Sequence, residues 1–329
     1  VQETVSQKEY LNALQEAIKE LKTLRIEKLD SNMNELKKAF DIAYVHKLFW
    51  LYNFDVATQD ALKLKLFEKL AALSGNLAFL AIQILAANAI MNKNNFKRKK
   101  HFFDKKCGIA INHLRANKTI VKATKCEGGF KLNGTLSWAS GYKIFNRLLI
   151  GFHYDNKEYE AMSHFKVQKG FMVQPCAKTF VGFGLNTVNI ELKDYFVKDK
   201  NIVSSHPIGT YTKNKSISKT IHYSLYGLGC GVIKHISNQE LKTYAITHLQ
   251  EHKEFFLNSF NGKELDKQRI ELFTFLQNII TTAMIQNGGK SVLCNQHLQQ
   301  YYRELIMFNC NGLNQTIKEL FLDRCLKQQ

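Results

Sequence analysis

The amino-acid sequence predicts an α+β multidomain protein in which two helix-rich regions flank a β region. Three features point there. Apolar residues at helical spacing dominate the start of the chain, as in Leu11, Leu14, Ile18, Leu21 and Leu24. Between residues 107 and 203 the pattern changes to short apolar runs separated by Gly, Asn and Asp, as in an antiparallel sheet. From about Ser218 long helical segments return. The expected division is an N-terminal helical domain over 1–106, a middle antiparallel β domain over 107–203 and a C-terminal helical domain over 204–329.

In the first region Asp30-Ser31-Asn32 punctuates the helical pattern. A second helix is expected over about 34–52, carrying Phe40, Tyr44, Leu48 and Trp50. Leu62, Leu66 and Leu70 start a third. Leu77 to Met91 is apolar on nearly every side and reads as a central helix; it is too short, and too polar at Gln83 and Asn88, for an expected membrane span. Asn92 to Lys106 breaks the pattern, with seven Lys or Arg interleaved with Phe96, Phe102 and Phe103. That mixture suits a solvated linker, or a surface that attracts phosphates and stacks bases of a nucleic acid.

In the β region, strands are expected at 119–124, 130–132, 147–152, 162–167, 170–173, 180–185, 187–192 and 195–197, forming a small barrel or sandwich. Glu127-Gly128-Gly129 is turn chemistry, and Asn133-Gly134 is a strong hairpin signal. Strict alternation then puts Leu136 and Trp138 on one face and Ser137 and Ala139 on the other, with Ser140 directed like Trp138. A flat indole beside a small hydroxyl suits one edge of a planar heteroaromatic ligand such as a flavin; a core Trp followed by a turn Ser is the plainer alternative. In the last region, Gly227, Gly229 and Gly231 suit close helix packing, within a chain or between chains. Helices are expected at 239–256, 264–286, 298–308 and 316–326, interrupted by Gly288-Gly289.

Composition bounds the function. The chain of 329 residues is 45% hydrophobic, which argues for a globular rather than a disordered protein. Its seven cysteines are scattered without a C-x-x-C, which argues against a disulfide framework or a zinc site and for a reducing, cytoplasmic setting. No signal-peptide pattern opens the sequence. The net charge of +18 attracts anions: phosphorylated cofactors, nucleic acid or acidic membrane.

Taken with that order of helices, strands and helices, two motifs resemble the acyl-CoA dehydrogenase superfamily. The first is G-G-F-K-L-N-G-T-L-S-W-A-S-G, residues 128–141. In that family a Trp and a Ser or Thr at its end lie against the flavin ring, which implies Trp138, Ala139 and Ser140 as flavin contacts. The second is the stretch from Ala283 to Arg324. It is similar, without a gap, to the family's C-terminal pattern, with Gly288-Gly289 on the glycine pair beside the cofactor's pyrophosphate and Arg303-Glu304 on an Arg-Asp pair. The resemblance implies a C-terminal four-helix bundle, a homodimer or homotetramer, and FAD, with FMN or no flavin as alternatives. It also implies Asn112 and Asn314 as further cofactor contacts.

The departures bear on mechanism. The family's catalytic base is a Glu before Gly-Thr; the gapless alignment puts Gly312 there, and no Asp or Glu lies between Glu304 and Glu319. A T-E-P-x-x-G-S-D segment that holds flavin and acyl-CoA is replaced by a shortened Ile111 to Ala116. The R-x-x-F-G that grips the cofactor's adenylate half across the dimer has become His248 to His252. His235, Glu240 and His113 are candidate substitute bases. The expected function is a flavin-dependent oxidoreductase with non-standard or lost acyl-CoA dehydrogenation. The alternative is a catalytically degenerate scaffold or binding protein of the same fold, and nucleic-acid binding through the basic surface is a third reading.

Overall fold

A computed structural model describes residues 6–115, 121–175, 178–213, 219–310 and 315–327. They form two compact units: residues 1–79, 180–184 and 217–329, and residues 80–179 and 185–216. The first three and the last five long helices thus fall in one unit, and the strands, with most of the helix over 75–93, in the other.

The helical unit begins with α1 (Gln7–Leu21), α2 (Met33–Val45) and α3 (Val56–Leu70). Each has a side-chain cap at its N-terminus: Ser6 in a reciprocal capping box with Glu9, then Asn32, then Asp55. The expected second helix therefore stops at Val45, where Lys47 turns the chain with φ +59°. Leu62, Leu66 and Leu70 are buried, but they end α3 rather than start it. α4 (Gly75–Lys93) is divided between the two units at Phe79 and Leu80 and is mostly buried, with Ala89, Asn92 and Lys93 exposed at its end. It is the one described helix long and apolar enough to cross a membrane, and 72% of its apolar window is buried inside the protein.

The helical unit resumes with α7 (Thr220–Ile233), α8 (Gln239–Asn258), α9 (Gly262–Asn287), α10 (His297–Cys310) and α11 (Gln315–Lys327), close to the expected bounds. α7 is its centre. A Cβ at Gly227 would lie 2.1 Å from the Phe67 carbonyl of α3, and one at Gly231 2.6 Å from the Tyr301 hydroxyl of α10. The glycine row thus serves packing within the chain.

The other unit carries α5 (Lys99–Phe103), then β1 (Cys107–Ala110), β2 (Val121–Cys126), β3 (Gly129–Ala139), β4 (Arg147–Tyr154), β5 (Lys157–His164), β6 (Phe171–Pro175), β7 (Val188–Lys198), β8 (Ile202–Pro207) and α6 (Thr210–Lys213). Among the described residues the strands make one eight-stranded sheet in the order β6-β7-β3-β2-β4-β5-β8, with β1 on β4. The sheet is mixed rather than antiparallel throughout, because β1 and β2 both run parallel to β4. The hairpin falls at Glu127-Gly128, where Cys126 pairs with Gly129. Asn133-Gly134 is not a turn: β3 runs through it as a bulge, and Asn133 exchanges hydrogen bonds of 3.1 and 2.9 Å with Asp194 of β7. Residues 180–182 are a loop and Phe183–Leu185 a single 3-10 turn, not a strand.

The basic segment is no open linker. Phe96, Phe102 and Phe103 are all buried, at 4–5% exposure, so they anchor the segment and cannot stack bases.

Candidate functional site

The candidate site starts at a bulge near the end of β3. Leu136 pairs with Ile190 of β7 and Ala139 with Val188, so Ser137 and Trp138 together oppose Asn189. The extra residue cancels the alternation. Leu136 and Ala139 are both buried, whereas Ser137 and Trp138 both face solvent. Trp138 therefore does not share the face of Leu136, as strict alternation predicts. It stands 61% exposed. Its backbone has φ +59°, a conformation that costs a bulky residue energy, and its N–H donates to Asn189 Oδ1 at 3.3 Å. Ser140 is directed inward instead, 5% exposed, with its Oγ 2.9 Å from Thr187 Oγ1. One hydroxyl donates to the other, which leaves a second proton in the pair. Thr187 and Asn189 support the site, yet no motif in the sequence marks them.

Asn112 is exposed in the turn that follows β1. The Phe145 ring packs against both Gly108 of β1 and Gly141 beyond β3, so the strand that leads to Asn112 and the segment after the bulge share this ring. Gly288 ends α9 with φ +72°, and space is open where a Cβ would lie at Gly288 or Gly289. These glycines belong to the helical unit and Trp138 to the other. Gly312 and Asn314 lie outside the described residues.

The candidate bases have contrasting surroundings. Burial pushes the His113 imidazole down to about 4, and its Nε2 lies 3.0 Å from the Gly151 carbonyl. Burial, with His297 stacked on it at 4.3 Å, also lowers His235 to about 4. Both are neutral, weak bases at pH 7. Glu240 is exposed in the first turn of α8, where a carboxylate complements the helix dipole.

The Arg303-Glu304 pair has a role that its sequence does not show. Arg303 forms a 2.6 Å ion pair with buried Asp30 and donates to the Phe180 carbonyl at 2.7 Å. Asp30 also accepts from the Gly182 N–H at 2.7 Å and from Asn76 at 3.0 Å. These bonds hold residues 180–182 as a loop, since backbone groups tied to side chains cannot join a ladder. Burial, helped by Asp30, raises the fully buried Glu304 carboxyl to about 8.

His248 to His252 line a cleft of about 490 Å³ with Phe255, Gln268, Glu271, Phe275 and Arg324. Burial lowers the His252 pKa. The cleft also holds a Glu251 carboxylate 2.9 Å from His248 Nδ1, with Glu271 and Arg324 beside it.

Helices at both ends of the chain and a strand unit between them define the acyl-CoA dehydrogenase fold. Solved structures bear this out. A glutaryl-coenzyme A dehydrogenase in its glutaryl-CoA complex superposes with TM-score 0.75 at 13% identity, over 97% of this chain and 95% of that one. Butyryl-CoA dehydrogenase from Megasphaera elsdenii gives 0.73 at 10% identity, over 99% of each chain. KijD3, in complex with FMN and a dTDP-linked amino sugar, gives 0.72 at 11% identity, over 98% and 94%. At such identities the likeness establishes the fold and no more. No protein-family model and no curated protein sequence matches the chain.

Proposed function

We propose that this chain is a flavin-dependent oxidoreductase that holds its flavin ring at Trp138, Ala139 and Ser140. The observation that carries this is the exposed indole on a bulge of positive φ. A large apolar ring in a costly backbone conformation, facing water, stabilises nothing in the fold, and such outliers cluster at ligand sites. The residues present fit a flavin ring: an open flat surface at Trp138 and, at Ser140 and Thr187, a hydroxyl pair with a spare proton. The fold and the flavin-bound KijD3 support the same reading.

A bound flavin would supply the capacity to accept or deliver a hydride. Trp138 would cover one side of the ring and exclude water there. The Ser140–Thr187 pair would donate its spare proton to an edge acceptor, and the exposed amide of Asn112 offers a further donor. No described residue supplies the raised, accessible carboxylate that acyl-CoA dehydrogenation needs, so the substrate is proposed to be other than an ordinary acyl-CoA.

Between the flavins, the sequence at His248 to His252 favours FMN. The resemblance puts an Arg that grips the adenylate half of FAD there, and this stretch contains none. Assembly as a homodimer or homotetramer is also proposed, supported by exposed Ile285, Val292, Leu322 and Leu326 in the C-terminal part of the chain. The decisive experiment is the visible spectrum of the purified protein, with mass spectrometry of any flavin released. A colourless protein that takes up neither FMN nor FAD would refute the proposal.

A further inference from the structure

The positive charge is concentrated in the strand-bearing unit. That unit holds 23 Lys and Arg against 8 Asp and Glu, whereas the helical unit holds 23 against 20. Within it, one face of β2, β3 and β7 lies open. Lys122 stands opposite Asn133, Thr124 opposite Lys131, and Lys131 opposite Phe196, and all five are exposed. Lys198 lies two residues beyond Phe196 on the same face. None of Lys122, Lys131 and Lys198 forms an ion pair with a described residue.

Phe196 is the ring in this setting. It is 41% exposed, and a Cβ at Gly129 would lie 2.1 Å from the Val197 carbonyl and 2.8 Å from the Phe196 ring edge. Glycine on β3 thus lets the ring lean over the backbone and present itself to solvent. The basic 92–106 segment joins this corner, because Arg98 hydrogen-bonds Asn201, just past Lys198 and Lys200. Lys97 and Lys100 beside it are exposed. The acidic groups nearby are few: Asp199 is paired to Lys125 at 2.5 Å, Glu191, opposite Thr135, to Lys193 at 2.9 Å, Asp194 is bonded to Asn133, and Glu127 sits at the turn.

We propose that this face binds single-stranded RNA, with a base stacked on Phe196 and phosphates held by Lys131, Lys198 and the Lys97–Lys100 segment. An open strand face that pairs an exposed ring with lysines suits an unpaired, splayed base. A lipid surface would call for a broader apolar patch than one ring among cations. Thr124, Thr135 and Ser137 are exposed on β2 and β3, and their hydroxyls can engage the 2′-hydroxyl that separates RNA from DNA. The proposal does not depend on the flavin site.

The test is fluorescence anisotropy of the full chain with a labelled oligouridylate about a dozen nucleotides long. Affinity should fall with salt, with a log–log slope of about −0.7 per phosphate contacted. Phe196→Ala should weaken binding about tenfold or more. Phe196→Leu, which keeps apolar cover over Gly129, should lose as much while retaining the wild-type melting curve. The pair Lys131→Glu with Lys198→Glu should weaken binding and flatten the salt slope. The pair Lys22→Glu with Lys28→Glu, equal in charge but on the helical unit, should stay within about twofold of wild type. Equal loss in both pairs, no effect of either Phe196 change, or equal or tighter binding of the matching oligodeoxythymidylate would overturn the proposal.

Discussion

Glu304 is fully buried against the first turn of α4 at Gly75, where a Cβ would lie 2.8 Å from its carboxyl carbon and 2.9 Å from its own Cβ. Any larger residue at position 75 must displace Glu304, and with it the α10 turn that carries Arg303. Alanine is otherwise the better helix former by about 1 kcal/mol. Gly75→Ala is nevertheless expected to destabilise the protein, by about 1–3 kcal/mol from overpacking. The urea midpoint measures this, and a midpoint at or above that of wild type would show that Glu304 has room to move.

Glu304 should also impose a pH dependence. Its pKa rises from 4.5 to about 8 on folding, so between those values the folded protein keeps a proton that the unfolded chain has released. The associated stability is complete below about 4.5 and is lost as pH rises through about 8. Glu304→Gln cannot ionise. Relative to wild type it should gain stability, on the order of a few kcal/mol, as pH rises through that window. Parallel stability profiles for the two proteins would exclude the raised pKa.

Trp138 separates stability from function. Glycine adopts φ +59° without steric cost, whereas alanine keeps a Cβ there. Trp138→Gly should therefore be more stable than Trp138→Ala, by about 1 kcal/mol. Both should lose flavin affinity and quenching of flavin fluorescence. Retention of wild-type flavin content and spectrum in both variants would remove Trp138 from the site.

Flavin-loaded protein mixed anaerobically with acyl-CoAs of different chain length should not bleach promptly. General-base assistance is typically worth about 10²–10⁴-fold, and Gly312 stands where the family's carboxylate is expected. Prompt bleaching by any of them would reveal a base elsewhere. Restored bleaching in Gly312→Glu would show that only the base had been lost.

Much of the fold was legible because periodicity is a local property. Leu14 and Leu21 of α1, Leu62, Leu66 and Leu70 of α3, and most of the largely apolar Leu77–Met91 stretch are buried as their spacing predicts. The G-G-F-K-L-N-G-T-L-S-W-A-S-G motif likewise located the strand that carries the candidate site.

Tertiary pairing decided the rest. A bulge depends on the partner strand, so neither the outward turn of Trp138 nor the passage of β3 through Asn133-Gly134 could be read from β3 alone. Val181 and its neighbours have strand-forming side chains, yet Asp30 and Arg303, far away in sequence, claim the backbone groups a strand would use. Lys131, Lys198 and Lys97 become one basic corner only through strand register and the Arg98–Asn201 contact. In each case a backbone or charged group has one strong partner available, and folding, not local sequence, determines which residue that is.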